Sequence, residues 1–311
     1  MNPDEPSPQP ASSESLPQAL TLTLIRALTL HNAPSRTLPY PPTPGGIAPL
    51  IVLLSTGNEI TQQYTAAALE SLARDHLENQ ISLAKAGAIG PLVTLLGSDS
   101  KETQAHAVGA LLFLASHDEE SRNAVVRQLV IVLDVRNAGA QLKAAEALAV
   151  LAARSTENRK AITHAKAVEP LVRLLGDGRR VRSDTPQERA AAVLCDLARL
   201  SENKLAIVQA GAAIPLVHML SSESSKAATH AAGALWFLAA IGTNKEKIAA
   251  AGGIAPLVAL LAHGTAEAQR FAAGALWHLA AVGDNKSAMV GAGAIPPLVA
   301  LLASESAEAS E

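Results

Sequence analysis

The sequence predicts an all-α solenoid, and three observations carry that prediction. A Pro-Leu-Val/Ile step recurs at Pro49, Pro91, Pro170, Pro215, Pro256 and Pro297, and a degenerate Gln128-Leu129-Val130 fills the one gap. A second anchor is the Leu of Ala-Leu-x-x-Leu, or Val-Leu-x-x-Leu in one copy. It falls at Leu69, Leu111, Leu148, Leu194, Leu235 and Leu276. Both anchors return every 37–46 residues, and self-similarity at such a period marks a repeat architecture. The third observation is composition. The chain is 49% hydrophobic but only 2% aromatic, which suits repeats that bury thin Ala/Leu faces against their neighbours.

Each copy reads as three helices. The first starts near Asn79, Asn123, Asn158, Asn203, Asn244 or Asn285, and Asn is a favoured N-cap because its side chain accepts from an unpaired backbone N–H. It commonly ends at Ala-Gly, where Gly adopts the left-handed C-terminal cap. Pro follows in the first turn of the second helix, where a missing N–H costs nothing. The third helix is longer, with Ala and Leu at spacings of 3 and 4, the mark of one buried stripe.

Four segments follow in chain order. Residues 1–15 are Pro, Ser and acid-rich and read as a disordered tail. The chain starts Met1-Asn2-Pro3, so no glycine follows the initiator for N-myristoylation, and Asp4 and Glu5 do not fit a secretory or transit peptide. Residues 16–45 read as a degenerate cap and linker. Within them, residues 16–31 resemble a worn third helix, because Leu28 lies one period before Leu69, and residues 32–45 hold five prolines in a stiff linker. Residues 46–303 form the array of six repeats and an incomplete seventh, and residues 304–311 are a polar tail.

Two repeats depart from the pattern. Repeat three lacks the Ala-Gly-Ala-Ile step, so its first two helices are expected to fuse or kink. Repeat four carries a four-residue insertion within Gly176-Asp177-Gly178-Arg179-Arg180-Val181-Arg182-Ser183, read as a solvated loop whose arginines could meet an acidic partner. Its Ser183 follows Arg180 and Arg182 in a basophilic-kinase arrangement. The seventh copy stops after its second helix, which leaves that helix's apolar back poorly covered.

The Asn-Lys starts (Asn203-Lys204, Asn244-Lys245, Asn285-Lys286), the Ala-Gly-Ala/Gly-Ile step, Pro-Leu-Val-x-Leu-Leu and Ala-Leu-x-x-Leu-Ala together resemble the armadillo repeat family. HEAT repeats, which usually have two helices, are the runner-up. The resemblance implies a right-handed superhelix with about three helices per ~41-residue repeat. It also implies that the third helices line a concave groove that binds a protein or an extended peptide.

Chemistry is sought without result. There is no phosphate-binding Gly-x-x-x-x-Gly-Lys loop, no His-Glu-x-x-His and no Cys-x-x-Cys. The nine His are scattered over separate repeats, and Cys195 has no visible base to activate it. We therefore expect no enzyme, no cofactor, no metal and no small-molecule substrate. A net charge of −3 argues against a nucleic-acid partner. No apolar run reaches the ~18 residues of a membrane span. One Cys fits a reducing compartment, the cytoplasm first and the nucleus second.

Aligned on the anchor Leu, the third helices give a candidate partner-binding groove of Tyr64, His106, Gly109, Phe113, Lys143, Glu146, Arg189, Asp196, His230, Gly233, Phe237, Phe271, Gly274 and His278, with Trp236 and Trp277 beside it. Gly109, Gly233 and Gly274 are expected to floor open pockets. Importin-alpha adaptors, which belong to the armadillo family, bind basic peptides with a Trp and Asn ladder. The Trp positions here hold Ala67, Gly109, Glu146, Ala192, Gly233 and Gly274, so that ladder is absent. The expected function is a non-catalytic scaffold. The alternatives are the substrate-binding subunit of a ubiquitin ligase and, less favoured, a nuclear-transport adaptor.

Circular dichroism should show a helix-dominated spectrum. Strand above about a tenth of the chain would sink the fold reading, since ordinary domains hold ~20–25%.

Overall fold

The computed structural model describes residues 44–303 apart from 117 and 180. The expected disordered tail, the capping helix of 16–31, most of the proline linker and the 304–311 tail lie outside the described residues, as does Arg180. All regular structure among the described residues is helical.

Repeat one holds α1 (Pro44–Thr56) and α2 (Glu59–Ala73). Its helix begins at Pro44, inside the stretch read as linker. Repeat two holds α3 (Leu77–Lys85), α4 (Ile89–Thr94, extended by a 3-10 turn) and α5 (Lys101–Leu114). Repeat three has only α6 (Glu119–Val132) and α7 (Ala138–Arg154). With no glycine to end the first helix, α6 runs unbroken through both expected segments. Repeat four holds α8 (Thr156–His164), α9 (Val168–Leu175) and α10 (Pro186–Leu197). Repeat five holds α11 (Ser201–Gln209), α12 (Ala213–Met219) and α13 (Ser225–Ala239). Repeat six holds α14 (Gly242–Ala250), α15 (Ile254–His263) and α16 (Ala266–Leu279), and repeat seven holds α17 (Gly283–Gly291) and α18 (Ile295–Ala303).

The chain divides into two compact units. One comprises the described residues up to Leu95 with Ser100–Phe113, and the other comprises Leu96–Asp99 with the described residues from Leu114 onward. In the first, α1 packs on α2 and α2 on α3. In the second, the third helices α7, α10, α13 and α16 pack each on the next. The anchor pairs form the core: Ala68-Leu69, Ala110-Leu111, Ala147-Leu148, Val193-Leu194, Ala234-Leu235 and Ala275-Leu276 are all at most 3% exposed.

The capping pattern differs from the sequence reading. Side-chain caps sit on the third helices, and Ser155 caps the first helix α8 through Asn158 N (3.1 Å). Asn58, Ser100, Asn137, Thr185, Ser224 and Thr265 each accept from the backbone N–H three residues on. Asn79, Asn158, Asn203, Asn244 and Asn285 are not N-caps. Each is the third residue of its helix and buried. Their Nδ2 groups donate to Leu72 O (2.8 Å), Leu151 O (2.8 Å), Leu197 O (3.0 Å), Leu238 O (3.0 Å) and Leu279 O (2.9 Å). Those carbonyls belong to the last turn of the preceding third helix, where no intrahelical donor remains. The asparagine thus caps the C-terminus of one helix from inside the next. Asn123 is two positions too late for this, and in repeat three Asp118 caps α6 instead, through Ser121 N at 2.7 Å.

The expected C-caps hold. Gly87, Gly211, Gly252 and Gly293 all have positive φ, and repeat four places Lys166 there at φ 59°. Between repeats, Asn203 Nδ2 also donates to Thr163 Oγ1 (2.8 Å) and Asn244 Nδ2 to Lys204 O (2.9 Å). Ser224, the cap of α13, donates to the fully buried Glu188 of α10.

Asn244→Ala removes the side-chain donor that Leu238 O and Lys204 O share, leaving Leu238 O with the Ile241 N–H alone. Urea unfolding should show a loss of about 1–3 kcal/mol. Asn123→Ala, outside the ladder, should stay within about 0.5 kcal/mol. Equal effects at the two sites would show that the ladder is not what holds the helices together.

Candidate functional site

The third helices share one register, so four rows can be followed along them relative to the anchor Leu. Five residues before it stand Tyr64, His106, Lys143, Arg189, His230 and Phe271, and two before it stand Ala67, Gly109, Glu146, Ala192, Gly233 and Gly274. One after it come Glu70, Leu112, Ala149, Cys195, Trp236 and Trp277, and two after it Ser71, Phe113, Val150, Asp196, Phe237 and His278.

In the first unit, Glu70 is the hub. It accepts from Arg74 Nη2 (3.1 Å) and pairs with His106 Nδ1 (2.8 Å). The Arg74 guanidinium lies over the Phe113 ring, 5.4 Å from its centroid. Tyr64 is half-buried on the same helix as Glu70.

In the second unit, Lys143 and Glu146 pair at 3.0 Å on α7. Arg189 turns to Asp184 in the loop before α10 (3.0 Å). Asp196 pairs with Arg199 (3.2 Å), whose guanidinium lies over Phe237 at 5.1 Å. Burial pushes the Asp196 carboxyl up despite that arginine. Trp236 stacks on Phe237 (4.9 Å between centroids) and leans on Phe271 (5.6 Å), which Arg270 covers at 5.3 Å. Trp277 lies against His278 at 4.7 Å. Burial lowers the pKa of both His230 and His278. The Lys245 and Lys204 charges add to the effect at His278.

The glycines correct the sequence reading. A Cβ on Gly274 would come within 2.6–2.8 Å of the Trp236 indole. One on Gly233 would meet Cys195 Sγ at 2.8 Å and the Phe271 ring at 3.1 Å, and one on Gly109 would meet the Glu70 carboxylate at 2.6 Å. None of the three floors an open pocket. The residue one after the anchor is a knob that seats on the small residue two before the next anchor, and the glycine makes room for it. Phe271 is likewise a core residue, 5% exposed, rather than a groove residue. Cys195 is one of these knobs. Burial, then the Asp196 charge, pushes its thiol up to about 12, so it stays protonated.

Sequence reading missed Arg74 and Arg199, which complete two of the three Arg–Phe contacts. Both stand five after the anchor Leu, so the repeat alignment already contained the signal. The insertion in repeat four is also not simply solvated. Val181 is buried, His218 Nδ1 donates to Asp177 O (2.6 Å), and a Cβ on Gly178 would run into the backbone of Pro215. Arg179, Arg182 and Ser183 remain on its exposed side. Among the described residues no group of His, Cys, Asp and Glu is arranged to hold a metal ion, and no single helix is long and apolar enough to cross a membrane.

Residues 78–115, 201–240 and 243–281 match the Armadillo/beta-catenin-like repeat family. A crystal structure of an engineered protein superimposes over 86% of this chain with a TM-score of 0.68 and 34% identity, and this chain spans 66% of that chain's length. A second engineered protein is 33% identical over 76% of this chain and 96% of its own, with a TM-score of 0.60. A designed armadillo repeat protein in complex with the peptide (KR)4 is 27% identical over 75% of this chain and 99% of its own, with a TM-score of 0.58. No curated protein matches the sequence.

The packed glycines predict opposite signs. Ala is favoured over Gly in a helix by ~1 kcal/mol, while overlap in a packed interior costs ~1–3 kcal/mol. Gly274→Ala should lower the melting temperature, because the indole that it strikes is held by Phe237 and Phe271. Gly109→Ala should hold or raise it, because the Glu70 carboxylate can swing aside. A rise at Gly274 would return it to an open groove.

Proposed function

Because the chain belongs to the armadillo repeat family, we propose that it is a non-catalytic scaffold that holds a partner polypeptide, in extended form, along the face of its third helices. The observation that carries this reading is a device that occurs twice. An arginine five after the anchor lies over a phenylalanine two after the next anchor, in Arg74–Phe113 and again in Arg199–Phe237. Both phenylalanines are half-buried, so each keeps part of its surface accessible. Aromatic and guanidinium planes of this kind contribute large contact area at low entropic cost. The half-exposed His106, Lys143, Glu146, Arg189, Asp196, His230 and His278 supply polar groups along the same helices.

The nature of the fold supports an extended ligand. Stacked repeats present the same positions again and again, which suits a chain whose side chains alternate. The designed relative in complex with (KR)4 supports the reading by analogy. A Trp ladder of importin type is disfavoured, because the small residues two before the anchor lie under the preceding knobs.

The test is a displayed library of extended peptides selected on the full chain. Selected peptides should lose at least about tenfold in affinity on Phe237→Ala or Asp196→Lys, with helical content unchanged. A library that yields no binder, or binders indifferent to both substitutions, would remove the third-helix face as the site.

A further inference from the structure

The insertion of repeat four builds a surface of its own. Gly176 and Gly178 take left-handed backbone (φ 62° and 70°) and seat the loop on repeat five, where a Cβ at Gly178 would strike the Pro215 backbone. His218 Nδ1 donates to Asp177 O (2.6 Å), which ties the loop to α12 a second time. Arg179 follows, with its Nη2 3.5 Å from His218 Nε2, and it lines two clefts. One, of about 350 Å³, is walled by Val217, His218 and Ser221 of repeat five and Ala251 and Pro256 of repeat six. The other, of about 250 Å³, is walled by Leu175, Val181, Arg182 and Thr185. Charge sets this loop apart from the rest of its repeat. Arg173 meets Asp134, Arg189 meets Asp184 and Arg199 meets Asp196, at 2.9–3.2 Å. Arg179 and Arg182 are exposed and meet no carboxylate among the described residues. The insertion's own carboxylates are engaged elsewhere, since Asp177 accepts from Arg179 N (2.9 Å) and Asp184 pairs with Arg189.

We propose that the insertion docks a short acidic segment of a partner protein. One apolar side chain of that segment fills the wider cleft against Val217, Ala251 and Pro256. The cleft's volume is at the lower end of the ~300–1,000 Å³ that binding pockets occupy. Carboxylates on either side of the apolar residue pair with Arg179 and Arg182, because a planar guanidinium takes a carboxylate through two parallel N–H bonds. The loop is already anchored at Asp177 and Gly178, so binding has little backbone left to order. The same two charges turn a basic segment away. The site is built on the insertion and on the second helices α9, α12 and α15, so it does not rest on the third-helix reading.

The probe is a displayed library of short linear peptides, selected on the full chain and counterselected on the full chain carrying Arg179→Glu and Arg182→Glu. Surviving peptides should hold an apolar residue flanked by Asp or Glu. As fluorescein-labelled peptides followed by anisotropy, they should lose at least about tenfold in affinity on Arg179→Gln. Ser221→Glu, which adds a like charge to the rim of the wider cleft, should cost as much. Phe237→Ala should leave their affinity unchanged. Arg179, Arg182 and Ser221 are all exposed, so the melting temperature should not move. The proposal is overturned if no peptide survives counterselection, if the survivors lack acidic residues, or if they ignore both single substitutions. Survivors that fail on Phe237→Ala instead would also overturn it, and would move the acidic ligand to the third helices.

Discussion

Five of the repeats depend on an asparagine amide placed three residues into the first helix. A third helix ends with carbonyls that have lost their intrahelical donors, and the next helix starts within a few residues. Water cannot reach that corner, so an unpaired carbonyl there would cost ~1–3 kcal/mol. Asn79, Asn158, Asn203, Asn244 and Asn285 each donate across it, and the donor comes from the helix that must be positioned. One hydrogen bond therefore satisfies the end of one helix and sets the start of the next. Asn203 and Asn244 reach further and bond to the first helix of the repeat before, which links neighbouring repeats through the same side chain.

With the corners fixed, the third helices approach closely enough that side-chain size becomes the limiting quantity. Trp236 over Gly274, Cys195 over Gly233 and Glu70 over Gly109 are three solutions to one problem of volume. Each large or polar knob faces a residue with no side chain. A helical glycine gives up ~1 kcal/mol of propensity, and the contact offsets it by letting a larger group seat without strain. The row that an adaptor of importin type would use for tryptophan is therefore spent on packing. The proposed recognition surface is then the row two after the anchor with the arginines over it, together with the half-buried polar residues five before the anchor and Glu146.

The insertion in repeat four follows the same logic of local satisfaction. Gly178 presses on the Pro215 backbone, and the Asp177 carbonyl takes the His218 proton, so the loop is held against repeat five and does not trail into solvent. Val181 fills the space beneath. Its exposed arginines then project from a fixed base.

The sequence by itself determined the period, the helical class, the fused α6 and the glycine C-caps, because each follows from local chemistry: apolar spacing, a missing breaker, a positive φ. The tertiary structure alone decided what the buried polar and small residues do. Asn at a helix start reads as an N-cap in isolation, and only the neighbouring helix end reveals it as a donor. Glycine in a helix reads equally as pocket floor or as packing hole, and the sign rests on an indole 38 residues away. Phe271, five before its anchor, is core because it packs over Gly233 and against Trp236, whereas Phe237, two after its anchor, stays half-buried.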